Sequence, residues 1–222
     1  MNKQERVEQY LITKYPSLYR QNFKIECGTG WFAIIDIFSE KLVSRSKKAY
    51  VTAAKETYGQ LFLEVKGHLP EDYYYIFGLT NMAYSLSQLI CDQCGNRGYL
   101  FNCPGIIQPR CNLHGGFSLN SSRPEVSPDL PFSLSNVGVV WREMISNCYL
   151  QILMHIRENG MSNVSFKNIN KMNSKLVIEF IGGDETTIGM VDLLVAYTSI
   201  TDENTGMLIT KPRELLLNRY NK

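Results

Sequence analysis

Apolar residues recur along this chain with two periods, and the changes between them mark its elements. Trp31, Ile34, Ile35, Phe38 and Leu42 fall at i, i+3, i+4, i+7 and i+11, one stripe of an amphipathic helix opened by Trp31. A shorter helix over Asn2 to Lys14 carries Val7, Tyr10 and Leu11 on one face and closes before Pro16. Between the two, Phe23 to Trp31 reads as an extended piece ending in a glycine turn. Tyr50-Val51-Thr52 and Gln60 to Val65 are strand-like runs joined near Tyr58-Gly59, which predicts a hairpin. A helix follows from about Asp72 to Leu89. Gly115 to Ser135, with two glycines, three prolines and six serines, predicts a connecting segment.

Beyond that segment the pattern begins again. Gly28-Thr29-Gly30-Trp31 is answered by Gly138-Val139-Val140-Trp141, and Trp141, Met144, Ile145, Cys148 and Ile152 each lie 110 positions after the five residues of the first stripe. Leu61 to Val65 is answered by Leu176 to Phe180, and Ala83-Tyr84-Ser85 by Ala196-Tyr197-Thr198. The ordered set predicts an α+β protein of two related α-β-β-α units, a diverged tandem duplication. The expected division is a first unit over 1–114, a linker over 115–135 and a second unit over 136–222. Its tail, Met207 to Lys222, reads as a strand and then a short helix after Pro212 anchored by Leu215, Leu216 and Leu217.

The first unit carries chemistry that the second lacks. Cys91-x2-Cys94-Gly95 and Cys111-x2-His114, separated by sixteen residues, have the paired spacing of a zinc ribbon or knuckle. Two thiolates from one tight turn plus a thiolate and an imidazole from another complete a tetrahedron. With no position left for water or substrate, the expected cofactor is one structural Zn²⁺. Gly95 suits a turn that aims backbone N–H groups at sulfur. Cys103 lies between the pairs as an alternative donor that would break their symmetry. The second unit reads Thr201-Asp202-Glu203-Asn204-Thr205-Gly206 at the matching place, without cysteine or histidine, which argues that the metal serves stability.

These residues bring a resemblance into view. Cys27-Gly28-Thr29-Gly30-Trp31, Lys55 to Leu61, and Ala83, Ser87, Cys91, Cys94, Gly95, Gly98, Cys111 and His114 resemble the pattern of small proteins common in phages and prophages. Those proteins combine a C-G-D-G-W turn, a K-x-x-x-G-x-L hairpin and a helix leading into a C-x-x-C-G knuckle closed by C-x2-H. Thr29 stands where the pattern has aspartate, and the appended second unit is not part of it. The resemblance implies a mobile-element origin and a zinc-stapled fold, and no particular activity.

Composition narrows the partners. Lys and Arg number 23 against 21 Asp and Glu, so net charge gives no argument for nucleic acid or an anionic membrane. The polar start of the chain predicts no signal peptide. No apolar run approaches the roughly 18 residues that span a bilayer, so the expected location is the cytoplasm, of the host cell if phage-encoded. No phosphate loop or dinucleotide fingerprint is found, since Gly28-x-Gly30 lacks a third glycine. His68 and His155 read as structural, nothing local supports a Cys-His pair on Cys27, Cys103 or Cys148, and Glu71-Asp72 and Asp184-Glu185 read as helix caps. Tyr73, Tyr74 and Tyr75 cannot all face one core from a single helical turn, so at least one ring is expected at the surface. The expected function is therefore non-enzymatic engagement of a protein partner through these tyrosines or the knuckle loop. The rival is a nucleic-acid-binding zinc ribbon using Lys47, Lys48, Arg97 and Arg110, and a cryptic hydrolase or nuclease ranks third.

Overall fold

A computed structural model of the chain describes residues 1–103, 106–115, 130–161 and 163–209. The helix expected after Pro212, most of the 115–135 connection and the Cys103 side chain lie outside the described residues. The fold is α+β. Helix α1 (Lys3–Lys14) is followed by β1 (Ile25–Glu26), α2 (Phe32–Arg45), β2 (Tyr50–Thr57), β3 (Gln60–Lys66) and α3 (Tyr73–Ser87). A small hairpin, β4 (Tyr99–Cys103) and β5 (Ile106–Arg110), precedes α4 (Val139–Asn159), β6 (Ser165–Met172), β7 (Lys175–Ile181) and α5 (Glu185–Thr198).

Local chemistry accounts for the boundaries. Asn2 caps α1 in a reciprocal box with Glu5, and Asp184 caps α5 through the Thr187 amide. The cap expected at Asp72 is absent. Its carboxylate turns instead to Arg45 Nε at 3.6 Å, and the Pro70–Asp72 turn leads straight into α3. Trp31 does not open α2 but closes a one-turn 3₁₀ helix over Thr29–Trp31.

The two long hairpins share their irregularities. β2 and β3 join through Tyr58 and Gly59 at φ of 51° and 77°, the doubly positive turn that matches strand twist, and the register slips between Val51 and Ala53. β6 and β7 join through Asn173 and Ser174 at φ of 50° and 60°, with the slip between Phe166 and Asn168. Turn and bulge alike lie 115 positions after their counterparts. The extended piece expected over Phe23 to Trp31 supplies β1; not expected from sequence is its parallel pairing with β2, which gives the first hairpin a third strand.

One hydrophobic cluster runs through both halves, from Val7 and Trp31 to Trp141 and Tyr197. At its centre α3 and α5 cross with their backbones almost touching. A Cβ on Gly78 would sit 2.1 Å from the Thr186 carbonyl oxygen, and one on Gly189 would sit 2.3 Å from that of Tyr75. The contact is reciprocal, because Gly189 and Thr186 lie 111 positions after Gly78 and Tyr75. The register between these helices is thus 111, not the 113 implied by matching Ala83 to Ala196. Around this crossing α2 and α4 each pack on both α3 and α5.

Such a crossing leaves no room for a methyl group. Gly78→Ala and Gly189→Ala should each lower stability in urea titrations by about 1–3 kcal/mol, overriding alanine's better helix propensity. Gly160 forms the left-handed C-cap of α4, and a Cβ there would meet nothing within 4 Å. Gly160→Asn should therefore be accepted at a cost below about 1 kcal/mol.

Candidate metal centre

The end of α3 delivers the first pair of donors. The Gly98 amide donates to Leu89 O at 2.8 Å and the Cys91 amide to Asn96 O at 2.7 Å, folding 89–98 into a tight double-backed loop. Inside it the Gly95 amide donates to Cys91 O at 2.9 Å, and Gly95 takes φ of 78°, which a Cβ would resist. β4 and β5 then carry the chain out and back, in register from Tyr99↔Arg110 to Cys103↔Ile106. Cys111 follows immediately. The amides of His114 and Gly115 both donate to its carbonyl, at 2.9 and 2.8 Å, which curls the imidazole back over the thiols.

Four donor atoms meet as a result, all within 4.8 Å of one another: the sulfurs of Cys91, Cys94 and Cys111 and a ring nitrogen of His114. Cys94 and Cys111 Sγ are 3.6 Å apart, and His114 Nδ1 lies 3.5 Å from Cys91 Sγ and 3.2 Å from Cys111 Sγ. A disulfide needs about 2.05 Å between sulfurs, so these are separate thiols. A tetrahedral ion with metal–sulfur bonds of about 2.3 Å sets its sulfurs about 3.8 Å apart, close to the spacing here. Three thiols and an imidazole can therefore hold a metal ion, and the set suits a borderline-soft, tetrahedral one.

Backbone amides support the sulfurs. Burial pushes the Cys94 thiol up to about 12, despite donation from the Asn96 amide, with Cys91 and Cys111 adding to the rise. At Cys111 burial also resists ionisation, but His114, Cys94 and the amides of Leu113 and His114 outweigh it and draw the thiol down to about 7. Without a metal, Cys94 thus keeps its proton at neutral pH.

The knuckle is bedded on the glycine turn before α2. The Gly30 amide donates to Asp92 O at 2.7 Å. A Cβ on Gly28 would fall 2.1 Å from the same oxygen, and one on Gly30 would fall 2.2 Å from Cys91 O. Trp31, fully buried, donates its indole N–H to Ser87 O at 3.1 Å and Ile90 O at 3.0 Å, one residue short of the first ligand. The Asp92 carboxylate, buried, is held by Arg110 Nη1 at 2.7 Å, and burial raises its pKa against that guanidinium.

The same scaffold recurs without donors in the second half. The Val140 amide donates to Glu203 O, the Asp202 amide to Met207 O and the Gly206 amide to Asp202 O, at 2.9, 2.8 and 2.9 Å. These repeat the bonds of Gly30, Cys91 and Gly95. In place of a metal, Asp202 Oδ1 accepts from the Asn204 and Thr205 amides and the Thr205 hydroxyl at 3.1, 2.8 and 2.9 Å.

The other residues singled out in the sequence are scattered. Tyr75 is buried, donating to Asp192 Oδ2 at 2.9 Å, whereas Tyr73 and Tyr74 are 46% and 57% exposed. Tyr73 stacks on Phe77, itself exposed, to form a surface ridge. Arg97 pairs with Glu143 of α4 and lies over the Tyr99 ring, and Arg110 is taken up by Asp92. Lys47 and Lys48 follow the C-terminal end of α2, a helix of 14 residues, about 20 Å from the knuckle that Trp31 touches at its other end. His155 joins Asp184 at 2.9 Å and Asn159, as a structural histidine does. Cys27 and Cys148 are both pushed up to about 12 by burial, the state of an unreactive thiol. The β4–β5 hairpin and the Asp92–Arg110 pair are additions to the sequence reading; Tyr99-Leu100-Phe101 and Ile106-Ile107 carried the strand signal for the first. No helix among the described residues is long and apolar enough to cross a membrane.

Comparison with protein-family models, with curated proteins and with solved structures finds no match to this chain.

Metal analysis should return one ion per chain, and Cys91→Ser should abolish it. Because Cys94 is protonated in the free site and every donor must be deprotonated to bind, loading at pH 7 should release at least one proton into weak buffer. Acidification should reverse it, since protons compete for the thiolates.

Proposed function

We propose that the chain is a non-enzymatic binding protein of phage or prophage type. In this reading it consists of two diverged copies of one α-β-β-α unit, the first holding a structural Zn²⁺, and acts in the cytoplasm as an inhibitor or modulator of a host or phage protein. The duplication is supported by agreement in detail: two hairpins with the same positive-φ turn and bulge, and two knuckle-like turns with the same backbone bonds. Zinc is supported by the donor set. A structural role follows from four protein donors that leave no open coordination position, and from a second turn that closes on Asp202 alone.

The observation that favours a protein partner is the exposed Tyr73–Tyr74–Phe77 ridge, set against Arg97 and Arg110, both paired within the fold. Exposed tyrosines bring large contact area with little side-chain entropy to lose. An anionic backbone would instead need cations free to neutralise it.

Both tyrosines are exposed, so the double variant Tyr73→Ser with Tyr74→Ser should fold normally. Crosslinking in cells that produce the protein should capture a protein partner with the wild type and lose at least tenfold of it with the variant. Anisotropy with DNA or RNA at about 150 mM salt should show weak binding only. Submicromolar nucleic-acid binding abolished by Arg97→Glu or Arg110→Glu would replace this reading with the zinc-ribbon one.

A further inference from the structure

A groove of about 500 Å³ opens between α3 and α4, floored by Leu61 and Leu63 of β3 and by Met190 of α5. Its rim is apolar and exposed: Phe77, Tyr84 and Met154 show 40%, 39% and 53% of their surface. Large apolar side chains gathered around one concavity, rather than scattered, mark a binding surface, and two methionines give it an adaptable wall.

The other side of the α3–α5 crossing offers a comparison. There Arg45, the last residue of α2 and partly exposed, reaches both α3 and α5. Its guanidinium lies 5.0 Å from the centre of the Tyr75 ring, with Nη2 2.8 Å from Glu185. The residue 110 positions after Arg45 is His155, whose ring is turned to Asp184 and Asn159 and leaves the α3–α4 groove open. The carboxylates change in step, for Tyr74 and Asn81 stand 111 positions before Glu185, which pairs with Arg45, and Asp192, which accepts from Tyr75. The open groove keeps one carboxylate of its own, Glu158, which makes no ion pair with any described residue, and no Lys or Arg lines it. Lys55 approaches from outside, 5.2 Å from the centre of the Phe62 ring at the groove's edge.

We propose that this groove receives an arginine-bearing apolar segment of a protein partner, with the guanidinium set against Glu158 and the Tyr84 ring as Arg45 is set against Glu185 and Tyr75. The assignment rests on the protein-binding reading above and adds the site and the chemistry of its occupant. Guanidinium groups stack on aromatic faces and pair with carboxylates at once, which a lysine ammonium does less well.

The test uses the full chain with ¹³C-methyl methionine and a blocked peptide, Ac-Ala-Leu-Arg-Leu-Ala-NH₂, beside the same peptide with glutamate for arginine. The Met154 and Met190 methyl signals should move with the arginine peptide while that of Met144, buried in the core, stays. The glutamate peptide should bind at least tenfold more weakly. Glu158→Lys, at an exposed position, should reverse the order of the two peptides. Equal affinity for both peptides, movement confined to other methyl groups, or no movement up to the solubility limit would overturn the assignment. If that happens while capture still depends on Tyr73 and Tyr74, the groove alone is wrong; loss of that dependence as well removes the protein-binding reading.

Discussion

The Gly28-Thr29-Gly30 turn and the peptide between Cys91 and Asp92 lie so close that no side chain fits between them, and the first half of the molecule depends on that contact. Neither glycine there needs a left-handed conformation. Each is required by space. Once the turn is seated, the Trp31 indole reaches the carbonyls at the end of α3, α2 packs on α3, and the fully buried Trp31, Ile34 and Phe38 join the hydrophobic core. A metal held by Cys91, Cys94, Cys111 and His114 would clamp the same loop. Loop geometry, tryptophan hydrogen bonds and core packing would then form one coupled system, with the free energy of metal binding entering as folding free energy.

The second half meets the same geometric demand by other means. Gly138 approaches Glu203 as Gly28 approaches Asp92, and the Trp141 indole donates to the Thr201 hydroxyl at 3.2 Å. The loop is short, four residues from Asp202 to Thr205, and one carboxylate accepting three bonds is enough to close it. The Asp202 carboxyl is held below its usual range by those Thr205 and Asn204 donors. In the first half the loop also carries the β4–β5 hairpin, and chain of that length needs a stronger closure than an Asx turn. That difference supports a role for a metal in holding the hairpin and its exposed Leu100 and Ile107 in place.

Much of this was legible in the sequence because it is written in local patterns. The apolar stripes, the Tyr58-Gly59 turn and the C-x2-C and C-x2-H spacings each specify geometry over a few residues. The 110 and 115 offsets were readable because a helix face or a strand face tolerates no shift of register. What escaped depends on distant partners. The parallel pairing of Ile25 with Ala54 leaves no periodic trace in two residues. Asp72 looked like a cap because its sequence neighbours cannot reveal Arg45. Arg97 and Arg110 looked like a basic patch because Glu143 and Asp92 come beside them only on folding. Gly78 and Gly189 read as weak helix positions until the α3–α5 crossing supplied the reason for them.

The coupling between metal and core has two built-in reporters, one in each half. The indole N–H of Trp31 donates to Ile90 O beside Cys91 and that of Trp141 to the Thr201 hydroxyl, so both can be followed in one ¹H–¹⁵N spectrum of metal-loaded protein as a chelator is added. The account predicts that the Trp31 signal broadens or moves and exchanges with solvent while that of Trp141 keeps its position and protection. An unchanged Trp31 signal in metal-free protein would contradict it.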